Sequence, residues 1–252
     1  MSLAKELEKQ GNWLFRYRGQ LPLVLFLLVI PVMLTPQDFI SDVSSSVWTI
    51  SAILVSFAGV VVRAYTIGTT PRGTSGRNTK KQVAESLNTS GIYGAVRHPL
   101  YLGNYLMWIG IVMFTFQPGF ILCVTLLYWL YYERIMMAEE GFLIGKFGGA
   151  YEAWSQKTPP FIPALSQLSK PAETFSLKSV FRREYSGWLA TVIGFAYVDF
   201  LRLFTAHQRN LQPAFDSWKE KWMMILIVSA AITLLLRSLK HYTSLLKEEG
   251  RS

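Results

Sequence analysis

This chain has few of the residues from which disulfide frameworks and metal sites are built. Its 252 residues include one cysteine, Cys123, which excludes an internal disulfide and a cysteine-based metal cluster. The three histidines, His98, His207 and His241, form no HxxxH or HExxH spacing, so no metal site is expected. No G-x-x-x-x-G-K-[ST] phosphate loop occurs. Charge is scarce at 16%, and acids are scarcer than bases: 16 Asp and Glu against 25 Lys and Arg. The first twenty residues are charged, and no small-residue cleavage site precedes the first apolar block, so no signal peptide is expected.

What is present is apolar and comes in blocks. The chain is 51% hydrophobic, and a membrane-spanning helix needs ~20 mostly apolar residues. Six stretches qualify: 21–36, 47–67, 101–116, 120–138, 187–204 and 222–239. The first and third are short, and the fifth carries Asp199 and Arg202. The sequence therefore predicts an all-α integral membrane protein of about six transmembrane helices, with both termini cytoplasmic. In that topology only Arg202, Arg209, Lys219 and Lys221 lie outside, as the positive-inside rule requires. The net charge of +9 is then topology and attraction to anionic lipid, and nucleic-acid binding is not expected.

"FQPGF" at 116–120 is a turn signal, and it makes a tight hairpin of the third and fourth blocks. The residues before one helix and after the other meet at one face. They are "GIYGAVRHPLY" and "MMAEEGFL". By themselves Arg97 and His98 fit a helix end snorkelling to lipid phosphate, with Pro99 in the first turn. Glu139 and Glu140 at the exit of an apolar helix are harder to explain that way, and ionisable residues in membrane segments are functional hypotheses by default. A structural ion pair locking two helix ends is the competing reading. Beyond them, Leu143, Phe147, Ala150, Tyr151 and Trp154 recur on one helical face, which predicts an interfacial amphipathic helix ended by Pro159 and Pro160. Residues 166–185 read as a polar, basic connection, which divides the chain into a core at 1–165 and a two-helix extension at 166–252.

The constellation suits a ligand carrying both charges. Carboxylates take an ammonium or ribose hydroxyls, and Arg97 takes a carboxylate in a bidentate fork. Tyr93, Tyr101, Tyr151 and Trp154 offer aromatic faces to a base or a cation, and Gly94 and Gly103 permit close backbone approach. S-adenosylmethionine has all of those groups.

Order and spacing together make a resemblance. Gly91, Tyr93, then Arg97, His98, Pro99, Tyr101 and Gly103, then Glu139 and Glu140, then Phe147, Gly148 and Tyr151, and finally Pro159, Phe161 and Pro163 resemble the isoprenylcysteine carboxyl methyltransferase and phospholipid methyltransferase superfamily over 91–165. The resemblance implies an integral membrane S-adenosylmethionine-dependent methyltransferase with its site at the cytoplasmic face, the bacterial inner membrane being the expected location. It implies a cofactor pocket of Tyr93, Gly94, Arg97, His98, Pro99, Tyr101, Leu102, Gly103, Glu139, Glu140 and Tyr151, with Arg97 and Glu140 as catalytic candidates. A lipid acceptor is expected to enter from the bilayer. The basic segment 68–91 favours an anionic acceptor, phosphate or carboxylate, and Arg72, Arg77, Lys80, Asn104, Trp108 and Trp154 are its candidate contacts. A solvated basic loop with some lipid attraction is the leading alternative for that segment, and core packing is the leading alternative for Asn104 and Trp108. A nicotinamide-dependent membrane reductase of the sterol-reductase type and a non-catalytic scaffold are the alternative functions. Asp199 and Arg202, three apart, are expected to pair along a helix, ~20 Å from the cytoplasmic face at 1.5 Å per residue, as structural or interfacial residues, with an outer-leaflet surface helix as the alternative for this stretch.

Overall fold

A computed structural model describes residues 3–34, 42–71, 73–74 and 84–251. Among these residues the regular structure is helical throughout. The α-helices are α1 (Leu3–Tyr17), α2 (Leu21–Leu34), α3 (Asp42–Thr69), α4 (Ile92–Ala95), α5 (Pro99–Met113), α6 (Pro118–Phe147), α7 (Gly149–Ser155), α8 (Leu177–Ala206) and α9 (Leu211–Tyr242). Four of them, α3, α6, α8 and α9, are long and apolar enough to cross a membrane, while α5 is apolar but has 15 residues and α2 has 14. The long helices turn apolar side chains outward. Phe57 on α3, Leu122 and Leu126 on α6, and Met224, Ile227 and Leu234 on α9 are all exposed. Such surfaces are costly in water and favourable against lipid.

The bundle centres on α3 packed along α5, with α8 against α3, α2 and α5, and α1 along α6. Lipid tails give no hydrophobic drive between helices, so close contact comes from small residues. A Cβ on Gly59 of α3 would lie 2.5 Å from the Met107 nitrogen, and one on Gly110 of α5 would lie 2.5 Å from the Ala52 oxygen. Ser56 Oγ also donates to the Met107 carbonyl oxygen at 3.0 Å.

The hairpin read at 116–120 is present. α5 ends at Met113 and α6 starts at Pro118, its ring in the first turn where no N–H is needed. Phe116 takes a left-handed conformation, φ 61°, in the turn. Its ring and that of Phe114 lie under the Arg202 guanidinium, at 4.1 and 4.7 Å.

Three sequence expectations are corrected. Glu139 and Glu140 are not at a helix exit: α6 continues to Phe147 and stops at Gly148, whose φ of 52° a side chain would resist. The amphipathic helix expected over 143–154 is consequently two pieces, the end of α6 and the seven-residue α7. Helical spacing of apolar residues persists across that break, which is why periodicity alone joined them. Residues 177–185 are not connection but the start of α8, where the Ser176 side chain caps the helix by accepting from the Ser179 N–H at 3.1 Å. Val180, Arg183, Glu184 and Tyr185 there are buried.

Candidate active site

His98 stands at the N-cap of α5, and its backbone is held from outside the helix. The Arg97 N–H donates to the Pro159 oxygen at 2.9 Å and the His98 N–H to the Pro160 oxygen at 3.2 Å. The Ala164 N–H donates to the Ala95 oxygen at 2.9 Å. Residues 159–164 thus form a bent strap along 95–98, and the prolines in it leave their carbonyls available as acceptors.

The side chains close the arrangement. Arg97 Nη1 donates to Glu140 Oε2 at 2.8 Å, and His98 Nε2 meets Glu140 Oε1 at 2.9 Å. Tyr101 Oη donates to Glu139 Oε1 at 2.8 Å, with His98 Nδ1 at 3.5 Å from Glu139 Oε2 and Arg18 Nη1 at 3.8 Å from Oε1. The two motifs, some forty residues apart, meet through one hairpin. Burial alone would depress His98, but the hydrogen bonds and charges of Glu139 and Glu140 outweigh it and raise its pKa above the ordinary value. Tyr151 on α7 is buried and its pKa is raised, by desolvation first and then by the Glu140 charge. Burial likewise pushes Tyr93 up to about 12, with Glu139 adding to the effect.

Above these groups lies a cavity of about 380 Å³, within the range of small-ligand sites. Of the candidate cofactor residues, Tyr93, Arg97, His98, Pro99, Tyr101, Glu139 and Tyr151 line it. Asn104 and Trp154 line it too, and the Trp154 ring N–H donates to the Tyr93 oxygen at 3.1 Å. Glu140 stands behind Arg97 and His98. Leu102 packs on the Phe15, Tyr128 and Tyr132 cluster. Gly103 faces α3, where a Cβ would lie 2.5 Å from Arg63 Cγ, and Gly94 faces the Gln167 carbonyl oxygen. Trp108 packs edge-on against Phe26 in the α2–α8 core. Arg72, Arg77 and Lys80 lie outside the described residues.

Sequence reasoning passed over four charged residues. Arg18, Arg63 and Arg183 line the same cavity. Arg63 Nε and Nη2 bind both oxygens of Glu184, at 2.6 and 2.7 Å, and Nη1 donates to Asn104 Oδ1 at 2.6 Å. Arg63 could have been flagged as a lone arginine in an apolar block; nothing local marks Glu184 as its partner.

Two buried donors show what the cavity lacks. Arg97 Nε and Tyr151 Oη have no hydrogen-bond partner among the described residues. Unpaired buried polar atoms cost ~1–3 kcal/mol each, and both flank the cavity. A ligand bearing a carboxylate or hydroxyls satisfies them. An amino acid, ribose and adenine in one molecule matches this donor set together with Glu139, Tyr93 and Trp154.

The phospholipid methyltransferase family model matches residues 45–150. A protein-S-isoprenylcysteine O-methyltransferase of Schizosaccharomyces pombe is 33% identical over 86 residues, 34% of this chain and 36% of that protein. One of the same name from Dictyostelium discoideum is 26% identical over 160 residues, 61% of this chain and 65% of its own. The cobalt-zinc-cadmium resistance protein CzcN of Cupriavidus metallidurans is 33% identical over 81 residues, 32% of this chain and 37% of that one. The chain thus spans between about a third and just under two thirds of these relatives. No solved structure matches.

Proposed function

We propose that this integral membrane protein, whose residues 45–150 match the phospholipid methyltransferase family model, transfers a methyl group from S-adenosylmethionine to a lipid-borne acceptor. The observation that carries the reading is Glu140 gripping Arg97 and His98 beside a cavity into which Arg97 Nε and Tyr151 Oη bring unpartnered donors.

When bound, S-adenosylmethionine supplies a methyl group on an already electrophilic sulfonium. The protein's part is then to orient and to exclude water. Arg97 Nε and Tyr151 Oη serve a carboxylate, Glu139 an ammonium, and Tyr93 and Trp154 the faces of a planar base. Glu140 holds Arg97 and His98 in place, and α7 with the 159–164 strap covers the site.

The acceptor in this reading is anionic, a carboxylate or a phosphate, which attacks without a general base. Support comes from the arginines around the cavity and from the isoprenylcysteine O-methyltransferases among the relatives, named for O-methylation of a prenylated cysteine. Residues 1–165 form the catalytic core, 166–252 the extension, and the site faces the cytoplasm of a bacterial inner membrane. The excess of Lys and Arg on that side supports this orientation.

The test is methyl transfer from labelled S-adenosylmethionine to extracted membrane lipids by the full chain in lipid nanodiscs. Mass spectrometry then finds lipids heavier by one methylene. Arg97→Ala and Glu140→Ala are each expected to lower the signal about a hundredfold; equal rates in all three proteins would remove the proposed site.

A further inference from the structure

A groove of about 890 Å³ lies between α1, α2 and α6 and shares no lining residue with the cavity of the candidate site. Leu14, Val24, Leu28, Val124 and Leu127 make its wall apolar. An aromatic layer separates the two. Tyr128 lines the groove, stacks on Tyr132 at 4.1 Å, and donates through Oη to the Tyr101 oxygen at 2.8 Å. Tyr132 and Tyr101 line the cavity on the other side. Two of the three helices that form the groove, α1 and α2, lie outside the family segment 45–150.

The mouth of the groove is polar, with Lys9 and Arg134 beside Glu6 and Gln10. Arg134 Nε donates to Gln10 Oε1 at 3.0 Å and Nη1 donates to the Leu130 oxygen, which holds the guanidinium at the mouth. Neither Lys9 nor Arg134 is in an ion pair among the described residues. Trp13 also lines the groove, is 59% exposed, and is in ring contact with the exposed Tyr17. Exposed Trp and Tyr on a membrane protein mark the headgroup level, where Lys and Arg meet lipid phosphate. From Arg134 to Val124 the groove follows α6 for ~15 Å at 1.5 Å per residue, half of a ~30 Å hydrocarbon core. A cationic mouth at headgroup depth above an apolar channel one leaflet deep matches a phospholipid with a negative headgroup.

We propose that this groove is a resident-lipid site. It holds one anionic phospholipid, the phosphate at Lys9 and Arg134 and an acyl chain along α6, and that lipid seats α1. The closed aromatic layer keeps its chain out of the cavity, so it is not the molecule that reacts. Leu14 faces the groove while the next residue, Phe15, lines the cavity, so the seating of α1 also shapes the cavity wall.

The experiment uses the full chain, stripped of lipid in neutral detergent, and native mass spectrometry with dioleoyl phosphatidylglycerol, dioleoyl phosphatidylcholine and glycerol phosphate. The native protein is expected to bind one phosphatidylglycerol about fivefold more tightly than phosphatidylcholine, as two partly exposed charge contacts provide. Its melting midpoint rises with phosphatidylglycerol concentration. The double variant Lys9→Gln, Arg134→Gln loses the preference, and Lys9→Arg, Arg134→Lys keeps it. Leu127→Trp, which fills the groove from its lipid side, loses affinity for both lipids; Leu235→Trp on the exposed face of α9 binds both as the native protein does. The proposal is overturned if the native protein shows no preference, if the glutamine variant retains it, or if Leu127→Trp binds as tightly as the native protein. It is overturned equally if Leu235→Trp weakens binding as much as Leu127→Trp, which marks ordinary surrounding lipid, or if glycerol phosphate displaces the lipid, which marks a soluble-anion site. None of these outcomes depends on methyl transfer.

Discussion

Two charged clusters sit at opposite ends of this apolar bundle. At one end Glu139 and Glu140 meet Arg97, His98, Tyr101 and Arg18. At the other, Asp199 accepts from the Trp222 ring N–H at 2.8 Å and lies 3.8 Å from Arg202 and 3.9 Å from Lys221. Asp199 is buried, and Arg202 spends its remaining face on the rings of Phe114 and Phe116. The second cluster pairs inward and closes the hairpin turn. The first borders a cavity and leaves Arg97 Nε and Tyr151 Oη unpartnered. Charge in a membrane segment is therefore only the beginning of an argument. Partners left over beside a cavity are what separate a site from a clamp.

The contrast can be broken experimentally. The largest effect is expected away from both clusters, at the buried pair that joins the core to the extension. Arg63→Ala or Glu184→Ala strands a buried charge and should cost ~3–5 kcal/mol, read as a lower melting midpoint in detergent. A double Arg63→Met, Glu184→Leu variant should recover much of that loss.

Next come the clusters themselves. Glu140→Ala removes the acceptor shared by Arg97 and His98 and should lower methyl transfer about a hundredfold, the effect of losing one partner of a buried charged hydrogen bond. Asp199→Asn should lower the melting midpoint yet leave S-adenosylmethionine affinity within about twofold, because the two clusters share no partner. If Asp199→Asn lowers methyl transfer as much as Glu140→Ala does, the distinction between site and clamp fails.

A smaller effect is expected at Tyr151. Removing its hydroxyl in Tyr151→Phe deletes a donor that protein atoms leave unused, so cofactor affinity should fall about tenfold, one hydrogen bond's worth, with melting unchanged or raised.

The smallest effect is in pH. The folded pKa of His98 lies above its unfolded value near ~6.5, because Glu139 and Glu140 outweigh burial. Its contribution to stability is thus fully present below ~6.5 and is lost as pH rises through the folded pKa. The difference in melting midpoint between native protein and His98→Gln should shrink as pH rises across that window. A constant difference would show that the histidine is not held charged by the two glutamates.

Much of the site was legible because its geometry is local. A Pro-Gly turn between two apolar runs brings both of their outer ends to one face, so Arg97 and His98 had to meet Glu139 and Glu140. The bland reading, an ion pair locking two helix ends, is physically present; what supports the proposed site beside it is the cavity and its unsatisfied donors, which no spacing reveals. Element ends were less legible. The apolar rhythm of 143–154 runs across Gly148, whose left-handed φ breaks the helix without interrupting the pattern. Polar residues at 177–185 read as a connection because burial in a pocket wall and exposure to water look alike in composition.

By itself, the sequence determined the helical class, the hairpin and the meeting of the two motifs, since these depend on apolar length, turn chemistry and near neighbours along the chain. Only the tertiary structure decided that Arg63 pairs with Glu184, 121 residues away, and that Arg183 turns into the same cavity. Those contacts depend on how α8 is rotated and seated against α3. That is set by the summed packing of whole helix faces, to which no single stretch of the chain holds the key.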